Sequence, residues 1–285
     1  MRRAFLVVMV LIGCTSSEED AGPHIDLVST PYTLQPGEER YYCYTMDLPA
    51  EDIAITKLTP TYGEGTHHIL FSQSIAPEPE GFSDCNVLIR TTWIPLYAGG
   101  LDSGPLTLPE KTGFVPFEKG QQVIMQLHLQ NSTDAPITDT TKMRIDYVAR
   151  TPEIKSASIF GMDNRKLNIP PNTPEMKSEM SCTVSRDLEV FAVMGHMHKF
   201  GVHIDLSRGA TAGEEMLYQT SWDFETQPVT PMKFRVNLGD KLHLRCTHKN
   251  DTATAVPYGE SSDTEMCSFV MYHAPSTALD GCISE

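Results

Sequence analysis

The chain has 285 residues, of which 40% are hydrophobic, and a formal net charge of −15. This length suits one large domain or two modest ones, and this hydrophobic content supports a packed core and argues against wholesale disorder. The acidic charge and the lack of a basic stripe argue against a nucleic-acid partner, because phosphate backbones attract clusters of Lys and Arg.

The N-terminus has the pattern of an export signal. Two arginines precede a short apolar run that ends in Leu11-Ile12-Gly13-Cys14. The run is too short to cross a bilayer as a helix and fits a secretory signal, and its end resembles a bacterial lipobox. We predict a signal peptide over residues 1–13, then a lipidated Cys14 and a flexible tether over residues 14–25. The alternative is an ordinary signal peptide that contains a cysteine.

This N-terminus predicts a bacterial, membrane-anchored lipoprotein, either periplasmic or on the cell surface. The lipid would be its only contact with the membrane. Once Cys14 is set aside, an even number of cysteines remains, which in an exported chain implies disulfides. Six cysteines can pair in fifteen ways, and their spacing does not choose among them. They are Cys43, Cys85, Cys182, Cys246, Cys267 and Cys282.

Short runs rich in Val, Ile, Tyr and Thr recur along the chain between clusters of Pro, Gly, Asn and Asp. The clearest cover residues 122–129, 143–148, 189–194 and 241–246. Many of them alternate apolar and polar residues, which is typical of half-buried strands. We predict an all-β protein of two tandem antiparallel β-sandwich, jelly-roll-like domains.

A domain boundary is predicted where a clear strand gives way to a polar stretch, at Arg150-Thr151-Pro152. The N-terminal sandwich would then cover residues 26–150 and the C-terminal sandwich residues 151–285. Turn signals that precede strands in both halves also favour two similar sandwiches, although the two halves share no true repeat.

The histidines are placed unevenly. His196 and His198 form an H-x-H pair, and side chains two apart on a strand share a face, so both imidazoles can reach one ion. His67 and His68 are neighbours, which face opposite sides of a regular strand and need a strand end or bulge to converge. His128 lies on a predicted strand. Each group alone is more often structural or surface histidine, so the metal hypothesis depends on their combination.

Three imidazoles suit copper or zinc, whereas two imidazoles with a thioether favour copper, especially Cu(I). Two methionines near the C-terminal cysteines could supply that sulfur, Met266 and Met271. In a strand Met271 would face the other way, alongside Cys267. The chain has 14 methionines, so any one of them is more often core packing than a ligand.

The order of the motifs HH, LHxQ, HMH and EMC resembles the copper type II, ascorbate-dependent monooxygenases. The resemblance covers roughly residues 41–282. It implies two copper ions per chain, a first site that transfers electrons and a second that binds O2. The implied ligands of the first site are His67, His68 and His128. Those of the second, which would also be the catalytic site, are His196, His198 and Met266.

The same resemblance implies the disulfides. A Cys246–Cys267 bridge would fix the position of Met266, and a second family bridge matches Cys182 with Cys282. Cys43 and Cys85 are then left for each other.

The resemblance implies an enzyme that hydroxylates an aliphatic C–H bond of a small molecule with O2, reloaded by ascorbate or a similar donor. Where peptide-amidating members carry an arginine two residues before H-x-H, this chain has Met194. Ser268 and Val270 follow EMC and suit a peptide end poorly. We therefore expect a more apolar pocket and a substrate other than a peptidylglycine.

The sequence is also compatible with two other functions. One is a copper-binding or copper-delivery surface lipoprotein without turnover, and the other is an interaction sandwich in which the histidines are incidental. The remaining histidines are expected to be surface or structural residues: His24, His203, His243, His248 and His273.

Overall fold

A computed structural model describes residues 22–85, 90–101, 103–275 and 280–284. The predicted signal peptide and Cys14 lie outside these residues. All regular elements in the described part are strands, and none of its segments forms a helix able to cross a bilayer. The prediction of an all-β protein is confirmed.

The strands before residue 150 are β1 (His24–Val28), β2 (Tyr32–Leu34), β3 (Glu39–Asp47), β4 (Ile53–Thr61), β5 (Thr66–Ser74), β6 (Gly81–Asp84), β7 (Trp93–Gly100), β8 (Leu106–Thr107), β9 (Thr112–Gly113), β10 (Gln122–Gln130), β11 (Ile137–Asp139) and β12 (Lys142–Ala149). Those after it are β13 (Lys155–Ser156), β14 (Ser158–Asn164), β15 (Asn168–Ile169), β16 (Thr173–Thr183), β17 (Leu188–Met197), β18 (Gly201–Arg208), β19 (Glu215–Ser221), β20 (Thr230–Val236), β21 (Lys241–Asn250), β22 (Val256–Pro257), β23 (Cys267–Ala274) and β24 (Asp280–Ser284).

The four clearest predicted runs fall within β10, β12, β17 and β21. The turns before β10 and β21 contain Gly120 and Gly239, whose φ angles are 72° and 89°. An L side chain is disfavoured there, so the glycines allow the tight reversals that start these strands.

Each half of the chain builds its own two larger sheets. In the first half their strand orders are β1-β12-β4-β8 and β6-β3-β10-β5-β7. In the second half they are β20-β17-β23-β14-β24 and β16-β21-β18-β19. Pairing is antiparallel, except that β14 pairs with β24, and β9 with β13, in parallel. Apolar side chains between the sheets form the cores, as expected of β-sandwiches.

The core of the first half continues into the second. Met194 and Tyr272 belong to the same buried cluster as Ile69 and Phe71. The hydroxyl of Tyr272 lies 2.9 Å from the backbone nitrogen of Ala98, from which it accepts, and 3.2 Å from the carbonyl oxygen of the same residue. The sheet that contains β17 and β23 therefore has two apolar faces, one toward its own core and one toward the first half.

Three disulfides are present, with the two pairings that the resemblance implied and the one that was predicted by elimination. They are Cys43–Cys85, Cys182–Cys282 and Cys246–Cys267. The third joins β21 to β23 and so links the two larger sheets of the second half directly beside Met266.

Candidate metal centre

Three imidazoles from two neighbouring strands converge in the first half. The ligand atoms of His67, His68 and His128 all lie within 4.8 Å of one another. His128 on β10 lies opposite His68 on β5, and the next pair is Leu129 with Thr66. His67 is therefore the extra residue of a β-bulge, the irregularity that two adjacent histidines need to reach one ion.

The nitrogen spacing in this cluster fits a metal ion. Nδ1 of His68 lies 3.4 Å from Nδ1 of His67 and 3.2 Å from Nδ1 of His128. Nitrogens bound at about 2.0–2.1 Å with tetrahedral angles lie about 3.3–3.4 Å apart. Burial is the main reason that the pKa of His67 falls to about 4 and that of His68 falls well below its usual range. Both rings are therefore neutral near pH 7, the form that binds copper.

A carboxylate supports the third histidine from behind. Nε2 of His128 donates to Oε1 of Glu39 over 2.6 Å, and the Tyr41 ring stacks on the imidazole at 4.4 Å. This hydrogen bond is the main reason that the pKa of Glu39 falls to about 2. An imidazole that donates through Nε2 keeps its lone pair on Nδ1, which is the atom facing His68.

The second cluster lies at the end of β17, where the rings of His196 and His198 are 5.2 Å apart. Nδ1 of His196 donates to Oε1 of Gln227 over 2.7 Å, and Nδ1 of His198 donates to the carbonyl oxygen of Thr264 over 3.0 Å. Each ring therefore keeps its lone pair on Nε2. Among the described residues, the buried Nε2 of His196 has no hydrogen-bond partner, which fits an atom that binds a metal.

A buried carboxylate organises the chain around this second cluster. Glu265 accepts hydrogen bonds from the backbone nitrogens of His198, Phe200 and Met266 at 2.5, 2.9 and 2.8 Å. Burial raises the pKa of Glu265 to about 7, against the lowering effect of these bonds. One side chain thus fixes the backbone on both sides of the cluster.

Sheet pairing brings Met266 to the second cluster. Met197 on β17 lies opposite Cys267 on β23, so the next residues along, His198 and Met266, lie across from each other. Met266 is buried and lines the same cavity as His196. Its place is compatible with a sulfur ligand, and that role stays a prediction.

The two clusters face each other. The rings of His68 and His196 are only 5.7 Å apart. Phe224 lies beside both clusters, with its ring 4.2 Å from that of His67 and 6.5 Å from that of His198. Aromatic contact of this kind keeps water away from the imidazoles.

The segment that contains Phe224, residues 222–229, docks onto the first half. The carbonyl oxygen of Gln227 accepts from the backbone nitrogen of Gly100 over 3.1 Å and from the hydroxyl of Ser103 over 2.7 Å. Because the side chain of Gln227 accepts from His196, this one residue links the second cluster to the first half of the chain.

A cavity of about 470 Å³ opens beside both clusters. It is lined from the first half by residues such as Leu70 and Ala98 and from the second by Met194, Ser268 and Val270. Its volume is in the range of small-molecule sites. The three positions where the chain departs from peptide-amidating relatives therefore all face this cavity.

The remaining histidines have other surroundings. His24 is exposed and His203 half-buried, whereas the others are buried: His243, His248 and His273. Met271 packs with Cys267 and Phe269 in the second core, as its strand position predicted.

Sequence reasoning missed the residues that hold the histidines: Glu39, Phe224, Gln227 and Glu265. Glu265 stands directly before Met266, so the EMC motif could have indicated it. Glu39 and Gln227 are far from their histidines in the sequence, and no spacing indicates them.

The chain is similar to copper-dependent monooxygenases. Residues 155–285 match the family model for the C-terminal domain of copper type II ascorbate-dependent monooxygenases. The DBH-like monooxygenase protein 1 of Homo sapiens is 25% identical and covers 95% of this chain and 50% of that protein. The Mus musculus protein of the same name is 25% identical over 92% of this chain and 49% of its own length.

The chain therefore spans about half the length of the curated relatives it matches. These matches confirm the family resemblance that the order of the histidine and methionine motifs indicated.

Proposed function

We propose that the chain is a copper-dependent monooxygenase, because residues 155–285 match the family model for the C-terminal domain of the copper type II ascorbate-dependent monooxygenases. It would hydroxylate an aliphatic C–H bond of a small molecule. One oxygen atom of O2 would enter the product and the other leave as water, with two electrons from a one-electron donor such as ascorbate and two protons from solvent.

In this proposal the first copper ion is held by His67, His68 and His128, and the second by His196, His198 and Met266. Copper at these positions would supply O2 binding and one-electron transfer, and a thioether ligand favours the reduced ion. The chain's own residues do the rest. Glu39 orients His128 so that this ring presents Nδ1, and Gln227 orients His196 so that this ring presents Nε2.

One observation carries the proposal, namely that the two imidazole clusters lie side by side at a cavity of small-molecule size. A copper-delivery protein needs one site and no cavity for a second molecule. An interaction sandwich would not bury neutral histidines together with opposed nitrogen atoms, because unpaired buried polar atoms cost free energy.

Metal content and O2 uptake test the proposal together. We expect two copper ions per chain and O2 consumption with ascorbate, measured by elemental analysis and an oxygen electrode. Met266→Ile should lower O2 consumption by more than about 100-fold while the first site keeps its copper.

Met271→Ile is the matched control, because Met271 is equally buried and lies in the second core. It should keep both copper ions and most of the activity. A single copper ion without O2 uptake would instead support copper delivery, and full turnover of Met266→Ile would show that Met266 is not the sulfur ligand.

We also propose that the protein is exported and carries a bacterial-type lipid on Cys14. Three disulfides support export, since they persist in oxidising compartments. Mass spectrometry of the mature N-terminus tests the anchor, and Cys14→Ser should release the protein from the membrane fraction. An unmodified Cys14 in the mature membrane-bound protein would contradict it.

A further inference from the structure

We infer that the cavity beside the two clusters takes an uncharged, mainly apolar small molecule, which on the proposed function is the substrate. The side chains that line the cavity away from the histidines determine what it can bind. The sheet of the second half supplies many of these side chains, and the few charged groups among them are already paired.

The sheet of the second half presents the cavity with rows of side chains across three adjacent strands, β17, β23 and β14. In the first row His196 lies beside Ser268, which lies beside Asp163. Residues two positions farther along point to the same face, so the next row comprises Met194, Val270 and Gly161. All of these residues line the cavity. The wall therefore changes from polar to apolar within one step along the strands.

The charges at the polar end are engaged with each other. Oδ1 of Asp163 accepts from the hydroxyl of Ser268 over 2.7 Å, and Oδ2 accepts from Tyr258 over 2.9 Å. Nε of Arg165 donates to the same Oδ2 over 2.8 Å. Glu260, at this end of the cavity, also has interactions of its own.

A charged ligand is therefore poorly matched. An ammonium or carboxylate group would have to displace an existing partner or lie unpaired against the apolar row, and burying an unpaired charge is unfavourable. An apolar body is instead stabilised by leaving water.

Gly161 leaves the space that such a molecule would fill. A Cβ atom built on Gly161 meets no heavy atom within 4 Å, although the residue lies in the middle of β14. Leu70 and Ala98 form part of the opposite wall. The gap in the apolar row thus opens into a cavity that both halves line.

Three probes of one shape and different charge test the inference: 3-phenylpropan-1-ol, 3-phenylpropylamine as its ammonium ion, and 3-phenylpropanoate. Binding to the full chain, with and without copper and without reductant, is measured by calorimetry. We expect the alcohol to bind roughly tenfold more tightly than either ion. Gly161→Leu should weaken the alcohol by roughly tenfold or more, because it fills the cavity.

Gly104→Leu is the matched control, because Gly104 is exposed, equally free of neighbours within 4 Å and outside the cavity lining. It should leave the affinity for the alcohol unchanged. Val270→Glu should reverse the preference in favour of the ammonium probe, a gain that unfolding cannot imitate.

The inference is overturned if either ion binds as tightly as the alcohol, if none of the probes binds, or if Gly161→Leu keeps the affinity of the wild type. Its failure is distinct from failure of the proposed function. A protein that binds the alcohol but never consumes O2 with ascorbate has the inferred site and lacks the proposed activity.

Discussion

The two histidine clusters use the same side chain in opposite ways. In the first, Nε2 of His128 donates to a carboxylate and Nδ1 atoms face each other. In the second, His196 and His198 donate through Nδ1 to a side-chain amide and a backbone carbonyl. The partner behind each ring selects which nitrogen is offered in front. The nitrogen that these rings offer to a metal is therefore set by residues that lie outside the histidine motifs.

The clusters also differ in how they are held. The first is built on two paired strands and a bulge inside one sheet, so backbone hydrogen bonds fix it. The second lies at the end of β17 and depends on Glu265, on residues 222–229 and on a disulfide beside Met266. We expect the second to be the more easily disrupted.

Removal of the disulfide beside Met266 should produce the largest difference between the two clusters. Cys246→Ala with Cys267→Ala opens a bridge of sequence separation 21 and should lower the free energy of unfolding by about 3 kcal/mol. On the proposed function it should also remove copper from the second cluster and leave copper at the first, because the bridge lies beside Met266.

The matched control is the double alanine variant of Cys43 and Cys85, with sequence separation 42 and an expected cost of about 4 kcal/mol. Denaturant unfolding and copper analysis measure both effects. Equal loss of copper from the two sites in the Cys246 and Cys267 variant would contradict the different support that we assign to them.

Removal of a hydrogen-bond partner behind one histidine should weaken metal binding at that cluster alone. Glu39→Leu should lower the copper affinity of the first cluster by about 10–100-fold, and Gln227→Leu should lower that of the second cluster by a similar factor. Competition with a copper chelator measures each change.

Glu39→Gln and Gln227→Glu keep an oxygen that can accept from the ring, so most of the affinity should return. If Glu39→Leu weakened both sites equally, the hydrogen bond to His128 would not be the specific support we describe.

The smallest expected effect concerns His248, which belongs to neither cluster. Burial lowers its pKa to about 4, and its Nε2 lies 3.0 Å from the Ser178 hydroxyl. The unfolded chain binds a proton near pH 6.5 and the folded chain only near pH 4, so this histidine destabilises the fold as pH falls between these values. The unfolding free energy of His248→Gln should therefore fall less steeply as pH decreases over that range. The difference in slope should correspond to the uptake of about one proton.

Unfolding midpoints in denaturant, measured from pH 7 to pH 4, test this expectation. His24→Gln, which changes an exposed histidine outside both clusters, is measured in parallel as the control variant. A His248→Gln profile that matches the wild type would show that His248 does not carry this acid sensitivity.

The periodicity of side chains along a strand predicted several strands and the orientation of the adjacent histidines. The alternation of apolar and polar residues located β10, β12, β17 and β21, and the two-residue spacing of His196 and His198 placed both rings on one side. The rule that neighbours face opposite sides also predicted an irregularity at His67 and His68, where the bulge occurs.

Contacts between distant strands could not be predicted in this way. Glu39 meets His128 because β3 pairs with β10, and Gln227 meets His196 because residues 222–229 fold over the sheet. The nearness of His68 to His196 follows from packing between the two halves, which no periodicity describes. The disulfide partners came from family resemblance and not from spacing.

The bulge at His67 makes the first cluster depend on chain length as well as on chemistry. Loss of that one amino acid would restore an uninterrupted ladder between β5 and β10 and leave two of the three imidazoles without the third. Descendants of such a deletion could keep a well-formed sandwich. A single-codon gap at this point in a related gene would therefore be a simple signature of a protein that has lost the first proposed copper site while remaining folded.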